Sequence, residues 1–393
     1  MFRIRTYNQI SVRGLERFPR DRYEVASGID AADGLLLRSH TLLVEQLDDS
    51  VRAVARAGAG VNNIPIEACT ARGIPVFNTP GANANAVKEL VAAGMLLASR
   101  GIFEGIAYAG ALSADLDATE MNKQLEAEKK RFAGNELRGK TLGVIGLGAI
   151  GSLVARLGLD LGMEVIGYDP ALSVEAAWRL PSEVRRMENI GALFSRSDFV
   201  SLHLPVLEST RKLIGAETLA QARKGCCLLN FAREEIVDID ALIAALSQGQ
   251  LRRYVADFPH PRLVGRKDCI LMPHIGASTE EAEENCAVMA ADQLRAFLEH
   301  GNIRNAVNFP ALELERTGGC RIAVSNRNVP GMLGHILSIF AEARINVVDM
   351  LNKSRDNIAY NLIDVEGEPS HGVIEAISRV DGVINVRLIP ALG

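Results

Sequence analysis

Thr141-Leu142-Gly143-Val144-Ile145-Gly146-Leu147-Gly148-Ala149-Ile150-Gly151 runs from an apolar stretch straight into a glycine-spaced turn. The residues after it place apolar side chains at 153, 154, 157 and 161, the spacing of one helical face. A G-x-G-x-x-G spacing alone is a weak signal, but between a strand and a helix it describes a βα unit that seats a pyrophosphate. Gly146 permits the tight turn, Gly148 lets the backbone approach the phosphates, and Gly151 lets helix and strand pack closely. The helix N-terminus, with Ala149 and Ile150 in its first turn, offsets the phosphate charge. Asp169 closes the next apolar run, 23 residues beyond Gly146. A carboxylate there can take both hydroxyls of an adenosine ribose and would repel a 2′-phosphate, so NAD is expected over NADP.

Around this unit, strand-like runs recur at Thr141 to Ile145, Glu164 to Tyr168, Phe199 to Leu202, Cys226 to Leu229, Tyr254 to Ala256 and Cys269 to Leu271. Helical patterns separate them, which is the signature of a doubly wound parallel sheet with ligands at the carboxyl ends of its strands. Upstream, Gly34 to Leu37 and Gly73 to Phe77 alternate with helical segments and suggest a small α/β unit. Ala84 to Arg100 reads as a long, buried helix able to bridge two lobes. Ser278 with Glu281 suggests a capping box that opens a second bridging helix to about His300. Past a proline-containing stretch, strands near 320–325, 346–353, 358–365 and 383–389 follow a β, α, β, β, α, β order, which predicts a separate ferredoxin-like module. The expected boundaries are 1–90 plus 285–312 for one domain, 91–284 for the nucleotide domain and 318–393 for the C-terminal module.

The bulk properties agree with several ordinary cores. A chain of 393 residues, 48% hydrophobic and 23% charged, suits two or three domains. A formal charge of -5 gives no field that would draw in a nucleic-acid backbone, and no basic stripe or matching motif occurs, so no nucleic-acid partner is expected. The cysteines at 69, 226, 227, 269, 286 and 320 lie in apolar stretches with no C-x-x-C pair or metal-spaced histidine, which predicts reduced core thiols and no metal. Met-Phe-Arg-Ile-Arg-Thr at the start has no apolar signal region, and no run of 18 apolar residues occurs. The expectation is a cytoplasmic protein without a membrane partner.

Two residues stand out as chemistry in waiting. Asn230-Phe231-Ala232-Arg233 follows the strand at 226–229, so Arg233 belongs at a strand's carboxyl end, where a guanidinium fork can grip a carboxylate. Ile270-Leu271-Met272-Pro273-His274 likewise delivers an imidazole, the side chain that exchanges protons near neutrality, to a strand end.

At this point the chain resembles the D-2-hydroxyacid dehydrogenase family over essentially its whole length. The matching segments are Arg38 to Thr41, Arg56 to Ile64, Val76 to Asn83, Gly143 to Gly151, His203-Leu204-Pro205, Asn230 to Asp238, Pro273 to Thr279 and Asn305 to Pro310. The resemblance implies a flavodoxin-like substrate domain beside the nucleotide domain. It implies that Arg233 anchors the substrate carboxylate and that His274 takes the hydroxyl proton as hydride leaves for NAD. It further implies cofactor contacts at His203, Pro205 and Asp257, with Asp257 close to the nicotinamide amide. Substrate contacts are implied at Gly60, Val61, Asn62 and Asn63, which match a loop meeting the carboxylate, and at Arg38 and Ser39, which match a wall facing a phosphate. Simple turn chemistry is the alternative for the two asparagines.

One departure stands out. Family members carry a glutamate shortly after the aspartate, where it hydrogen-bonds the histidine. Here the text is Asp257-Phe258-Pro259-His260-Pro261, only 17 residues separate Asp257 from His274, and no carboxylate can be assigned to that role. An imidazolium at 274 then gains less stabilisation than is usual in the family.

Residues 319–393 resemble an ACT domain, through Asn326-Arg327-Asn328-Val329-Pro330-Gly331 and Ile345-Asn346-Val347. The resemblance implies an amino-acid effector site using Asn326, Asn328 and Asn346, with serine as the effector, and a homodimer or homotetramer. The alternative is a module that only assembles subunits. A dehydrogenase joined to such a module points to D-3-phosphoglycerate as substrate, since serine is the end product of that route. Another D-2-hydroxy acid, such as glycerate or erythronate phosphate, and a non-catalytic NAD- and amino-acid-binding sensor remain as alternatives.

Overall fold

Short apolar runs alternating with amphipathic helices build three sheets in the computed structural model, which describes residues 1–391. The first sheet contains β1 (Phe2–Thr6), β2 (Tyr23–Ala26), β3 (Gly34–Leu37), β4 (Ala53–Arg56) and β5 (Val76–Phe77), all parallel in the order β2-β1-β3-β4-β5. That is the flavodoxin-like order.

The second sheet contains β6 (Thr141–Ile145), β7 (Glu164–Tyr168), β8 (Arg185–Arg186), β9 (Phe199–Leu202), β10 (Cys226–Asn230), β11 (Leu251–Ala256) and β12 (Cys269–Leu271). Its order, β12-β11-β10-β9-β6-β7-β8, reverses direction between β6 and β9, the switch point where a doubly wound sheet opens a crevice. Every residue of β9 and β10 is buried, as expected for parallel strands covered on both faces. β8 was not anticipated from sequence. Its two arginines are exposed on the edge and carry no apolar pattern.

The third sheet contains β13 (Cys320–Arg327), β14 (Val347–Arg355), β15 (Ile358–Val365) and β16 (Val383–Ile389), antiparallel in the order β14-β15-β13-β16. Helices Met332–Glu342 and His371–Ser378 complete the expected ferredoxin-like arrangement, with Ile336, Phe340 and Ile377 packed on Ile322, Val324 and Ile363.

The chain divides into two compact units, Met1–Asn83 with Glu280–Gly393, and Ala84–Thr279. The expected bridging helices therefore each pack within one unit. Helix Ala84–Ser99 buries Val87, Val91 and Met95 among residues of the second unit, and Gly94 lets the Phe231 ring approach so closely that a β-carbon would lie 2.9 Å from it. Helix Glu280–His300 buries Cys286, Ala290, Leu294 and Phe297 in the core of the first unit. It begins at Glu280, so Thr279 and not Ser278 holds the position before it, which corrects the expected capping box.

Within the first unit, Arg321 ties the C-terminal sheet to the segment leading into it. Arg321 is fully buried and forms a fork on Asp364 at 2.5 and 2.9 Å. It also donates to the carbonyls of His300, Leu314 and Glu315. A guanidinium is tolerated in such a place only when its donors are met, as they are here. Among the described residues no single helix is long and apolar enough to cross a membrane.

Candidate active site

The glycine turn has the geometry its spacing predicts. Gly146 sits at φ +87°, and a β-carbon there would fall 2.4 Å from the His203 carbonyl oxygen. A β-carbon at Gly151 would fall 1.8 Å from the carbonyl oxygen of Gly146, so the helix can approach the strand only as glycine. Gly148, the residue before helix Ala149–Asp160, faces open space. Backbone amides at a helix start with nothing in front of them are what a pyrophosphate requires.

Asp169 follows β7 and turns back to this loop. One carboxylate oxygen accepts the Leu147 amide at 2.8 Å and the other the Ala171 amide at 2.9 Å, and each retains lone-pair capacity for a ribose hydroxyl. His203 follows β9 across the switch point. Its Nε2 lies 2.8 Å from the Ser201 hydroxyl, while Nδ1 is buried with no partner among the described residues. Burial pushes its pKa down to about 3, so the ring is neutral at physiological pH. Pro205 begins the loop that follows, where its carbonyl accepts the Thr210 hydroxyl at 2.7 Å. These residues fit a dinucleotide: open amides, a carboxylate with free lone pairs, and a buried imidazole nitrogen still without a partner.

On the strand next to β9, Asn230 ends β10 fully buried and holds the turn that carries Arg233. Its side-chain amide donates to the Arg233 carbonyl at 2.9 Å and to the Tyr254 hydroxyl at 3.1 Å, and its oxygen accepts the Ala232 amide. Arg233 is exposed, and one Nη donates to the Ala232 carbonyl at 2.6 Å, which leaves other N–H groups of the fork for a ligand.

His274 follows β12 in the left-handed region at φ +56°, a conformation that a non-glycine residue rarely adopts and that gathers at functional sites. The strain is held by Asp257 at the end of β11. Only 3% exposed, its carboxylate accepts the Ile275 amide at 2.8 Å and the Gly276 amide at 2.7 Å, fixing the loop immediately after the histidine.

Phe258, the next residue, is the element that sequence reasoning missed. The His274 ring lies 4.6 Å from its centroid and the Arg233 guanidinium carbon 5.5 Å from it. One aromatic ring thus brings together the two side chains expected to carry the chemistry. No carboxylate among the described residues forms an ion pair with His274. His260, the residue that falls closest to the missing acid in the sequence, is engaged elsewhere: its Nδ1 accepts the Arg262 amide at 3.2 Å, and its Nε2 lies 3.9 Å from Glu234. The signal for Phe258 was present in the shortened Asp257-Phe258-Pro259 text, which puts an aromatic ring directly after the strand-end aspartate.

In the other unit, Arg38, Ser39, Gly60, Val61, Asn62 and Asn63 gather just beyond the carboxyl ends of β3 and β4. Arg38 pairs with Glu283 at 2.5 Å. The Asn63 amide donates to the carbonyls of Arg38 and His40, and the Gly60 carbonyl accepts from Arg56. Asn63 thus ties its loop to the segment after β3.

In the C-terminal module Asn326 is buried and bonded to Asn361 and the Arg327 carbonyl, whereas Asn328 and Asn346 are exposed. The six cysteines are free, and burial raises the thiols of Cys69 to about 11 and Cys269 to about 12.

A seat for a dinucleotide, with a guanidinium and an imidazole meeting at the ends of strands in the same sheet, belongs to the class of NAD-dependent oxidoreductases. Residues 108–276 match the model of the D-isomer specific 2-hydroxyacid dehydrogenase NAD-binding domain. The D-3-phosphoglycerate dehydrogenase of Haemophilus influenzae is 33% identical over 385 residues, covering 94% of this chain and 89% of that protein. The Escherichia coli K12 enzyme of the same name is 32% identical over 388 residues, covering 94% and 90%. Among solved structures, NAD+-bound 3-phosphoglycerate dehydrogenase of Entamoeba histolytica aligns with a TM-score of 0.60 and 27% identity, covering 79% of this chain and 99% of that one. The chain belongs to the D-isomer specific 2-hydroxyacid dehydrogenase family and is an NAD-dependent dehydrogenase.

Proposed function

We propose that this chain oxidises D-3-phosphoglycerate to 3-phosphohydroxypyruvate with NAD, the entry step of serine biosynthesis. The observation that carries this reading is the shared Phe258 ring, flanked by an arginine suited to a carboxylate and a histidine suited to a proton. The names of the relatives above, aligned over nine-tenths of their length, supply the phosphorylated substrate.

In this reading the free N–H groups of Arg233 hold the substrate carboxylate as a bidentate fork and orient the adjoining carbinol. His274 accepts the hydroxyl proton as general base. NAD, when bound, supplies the acceptor for the hydride. Gly146, Gly148, Ala149, Ile150 and Gly151 present the turn and helix amides to its pyrophosphate, and Asp169 takes its ribose hydroxyls. His203 and Pro205 complete the rim, and Asp257 keeps the His274 loop in place while lying on the nicotinamide side. Arg38, Ser39, Gly60, Val61, Asn62 and Asn63 belong to this proposal as substrate contacts, Arg38 and Ser39 toward the phosphate.

We assign residues 1–90 with 285–312 to substrate binding, 91–284 to NAD and 318–393 to an ACT module. The exposed Asn328 and Asn346 support a serine-binding role for the module, while Asn326 acts there as a buried brace. A cytoplasmic homodimer or homotetramer completes the reading. A steady-state panel with NAD tests the substrate: kcat/KM for D-3-phosphoglycerate should exceed that for D-glycerate and D-erythronate 4-phosphate by at least about tenfold, as a fully used phosphate contact allows. Equal values for glycerate would reject the phosphate contact, and no absorbance gain at 340 nm with any of the acids would reject the enzyme reading.

A further inference from the structure

The first unit contains a cavity of about 190 Å³ where the C-terminal sheet meets the flavodoxin-like lobe. Ser325 on β13 pairs in register with Asn385 on β16, as Ala323 does with Arg387, so these four share the sheet face that lines it. Gly73 and Arg52 of the lobe form the opposite wall.

Three polar side chains on these walls could meet a ligand. The Ser325 hydroxyl is 3% exposed as a residue and has no hydrogen-bond partner among the described residues, although buried hydroxyls are seldom left so. Its oxygen packs against Gly73, where a β-carbon would come within 2.8 Å, so only glycine fits beside the hydroxyl. Arg387 donates to the carbonyls of Phe297 and Leu298 and lies over the Phe297 ring at 4.3 Å, yet no carboxylate among the described residues forms an ion pair with it. Burial works against its charge, while the Tyr360 hydroxyl and the Asp33 carboxylate favour it. Arg52, at the mouth, is half-exposed and pairs with Asp33, its Nε 3.3 Å from the carboxylate. Asp49 is the carboxylate at the rim. It is exposed, so water screens it from the inner wall.

We propose that this junction is a binding site for a small oxyanion, a phosphate or a carboxylate group, held by the Ser325 hydroxyl, the Asn385 amide and the guanidinium groups of Arg52 and Arg387. Bound there, the anion adds counter-charge between the two guanidinium groups, gives the Ser325 hydroxyl a partner and fastens the C-terminal sheet to the lobe. The site is separate from Arg233 and His274 and does not depend on the dehydrogenase reading.

Calorimetric titration of inorganic phosphate into the full chain saturated with NAD tests it, with potassium chloride holding ionic strength constant. Acetate in a second arm separates a carboxylate from a phosphate source, and binding of either supports the site. Wild type should bind, Arg52→Gln should weaken binding at least about tenfold and Ser325→Ala about threefold, as lost charged and neutral hydrogen bonds imply. Both substitutions leave the Phe297 packing intact. Arg52→Lys should recover part of the affinity. No saturable heat from either anion in the wild type, or equal affinities in wild type and both variants, would overturn the site.

Discussion

At the scale of single residues, the positions of Arg233 and His274 just past strand ends were legible because each follows an apolar run in the sequence. What surrounds them was not. Asp257 was read only as a neighbour of the cofactor, because its bonds to the Ile275 and Gly276 amides depend on a loop folding back across 18 residues. The side-chain geometry gives two expectations at this scale. Arg233→Lys should raise the substrate KM at least about tenfold, because a point charge cannot reproduce the two-pronged contact. An unchanged KM would remove Arg233 as the carboxylate anchor. His203, with its pKa lowered from 6.5 to about 3 by burial, takes up a proton only when the chain unfolds. Between those values the unfolded state binds more protons, so stability falls as pH drops from about 6.5 toward 3, by up to about 1.4 kcal/mol per pH unit. Urea unfolding across this range should show a flatter dependence for His203→Gln than for wild type, and parallel curves would mean that His203 titrates normally.

At the scale of elements, the strand-turn-helix at 141–160 was fully legible, since the glycine spacing, the apolar run and the helical face all demand the same local structure. The strands found in sequence match the structure closely in the second and third sheets, while β8 escaped because two exposed arginines on an edge look like loop. The two long helices were located correctly, but their allegiance was not. Whether a helix spans two lobes depends on which side its apolar face meets, and periodicity does not carry that information. The turn provides a sharp test. Gly151→Ala places a methyl 1.8 Å from the Gly146 carbonyl oxygen, so helix and strand must separate. Fluorescence titration should show NAD affinity reduced at least about tenfold while the far-ultraviolet dichroism stays native-like, and wild-type affinity would show that the turn does not seat the cofactor.

For the whole molecule, the order of elements along the chain predicted three sheets and their topologies, because each βαβ or ββ connection restricts what can follow. The attachment of the C-terminal sheet to the first unit was invisible, since it rests on Arg321 and Asp364, 43 residues apart, and on three backbone carbonyls. Arg321→Met leaves the Asp364 carboxylate buried without its partner and should cost about 3–5 kcal/mol, seen as an earlier urea transition. A loss below about 1 kcal/mol would mean that the pair does not fasten the module.

The central claim is that Arg233 and His274, gathered on the Phe258 ring, act on one carbinol. It is tested most directly by single-turnover absorbance at 340 nm with D-3-phosphoglycerate and saturating NAD, comparing wild type with His274→Asn. Absorbance should rise rapidly in wild type and at least about a hundredfold more slowly in the variant, with NAD affinity unchanged. Rises of equal rate in the two proteins would contradict it.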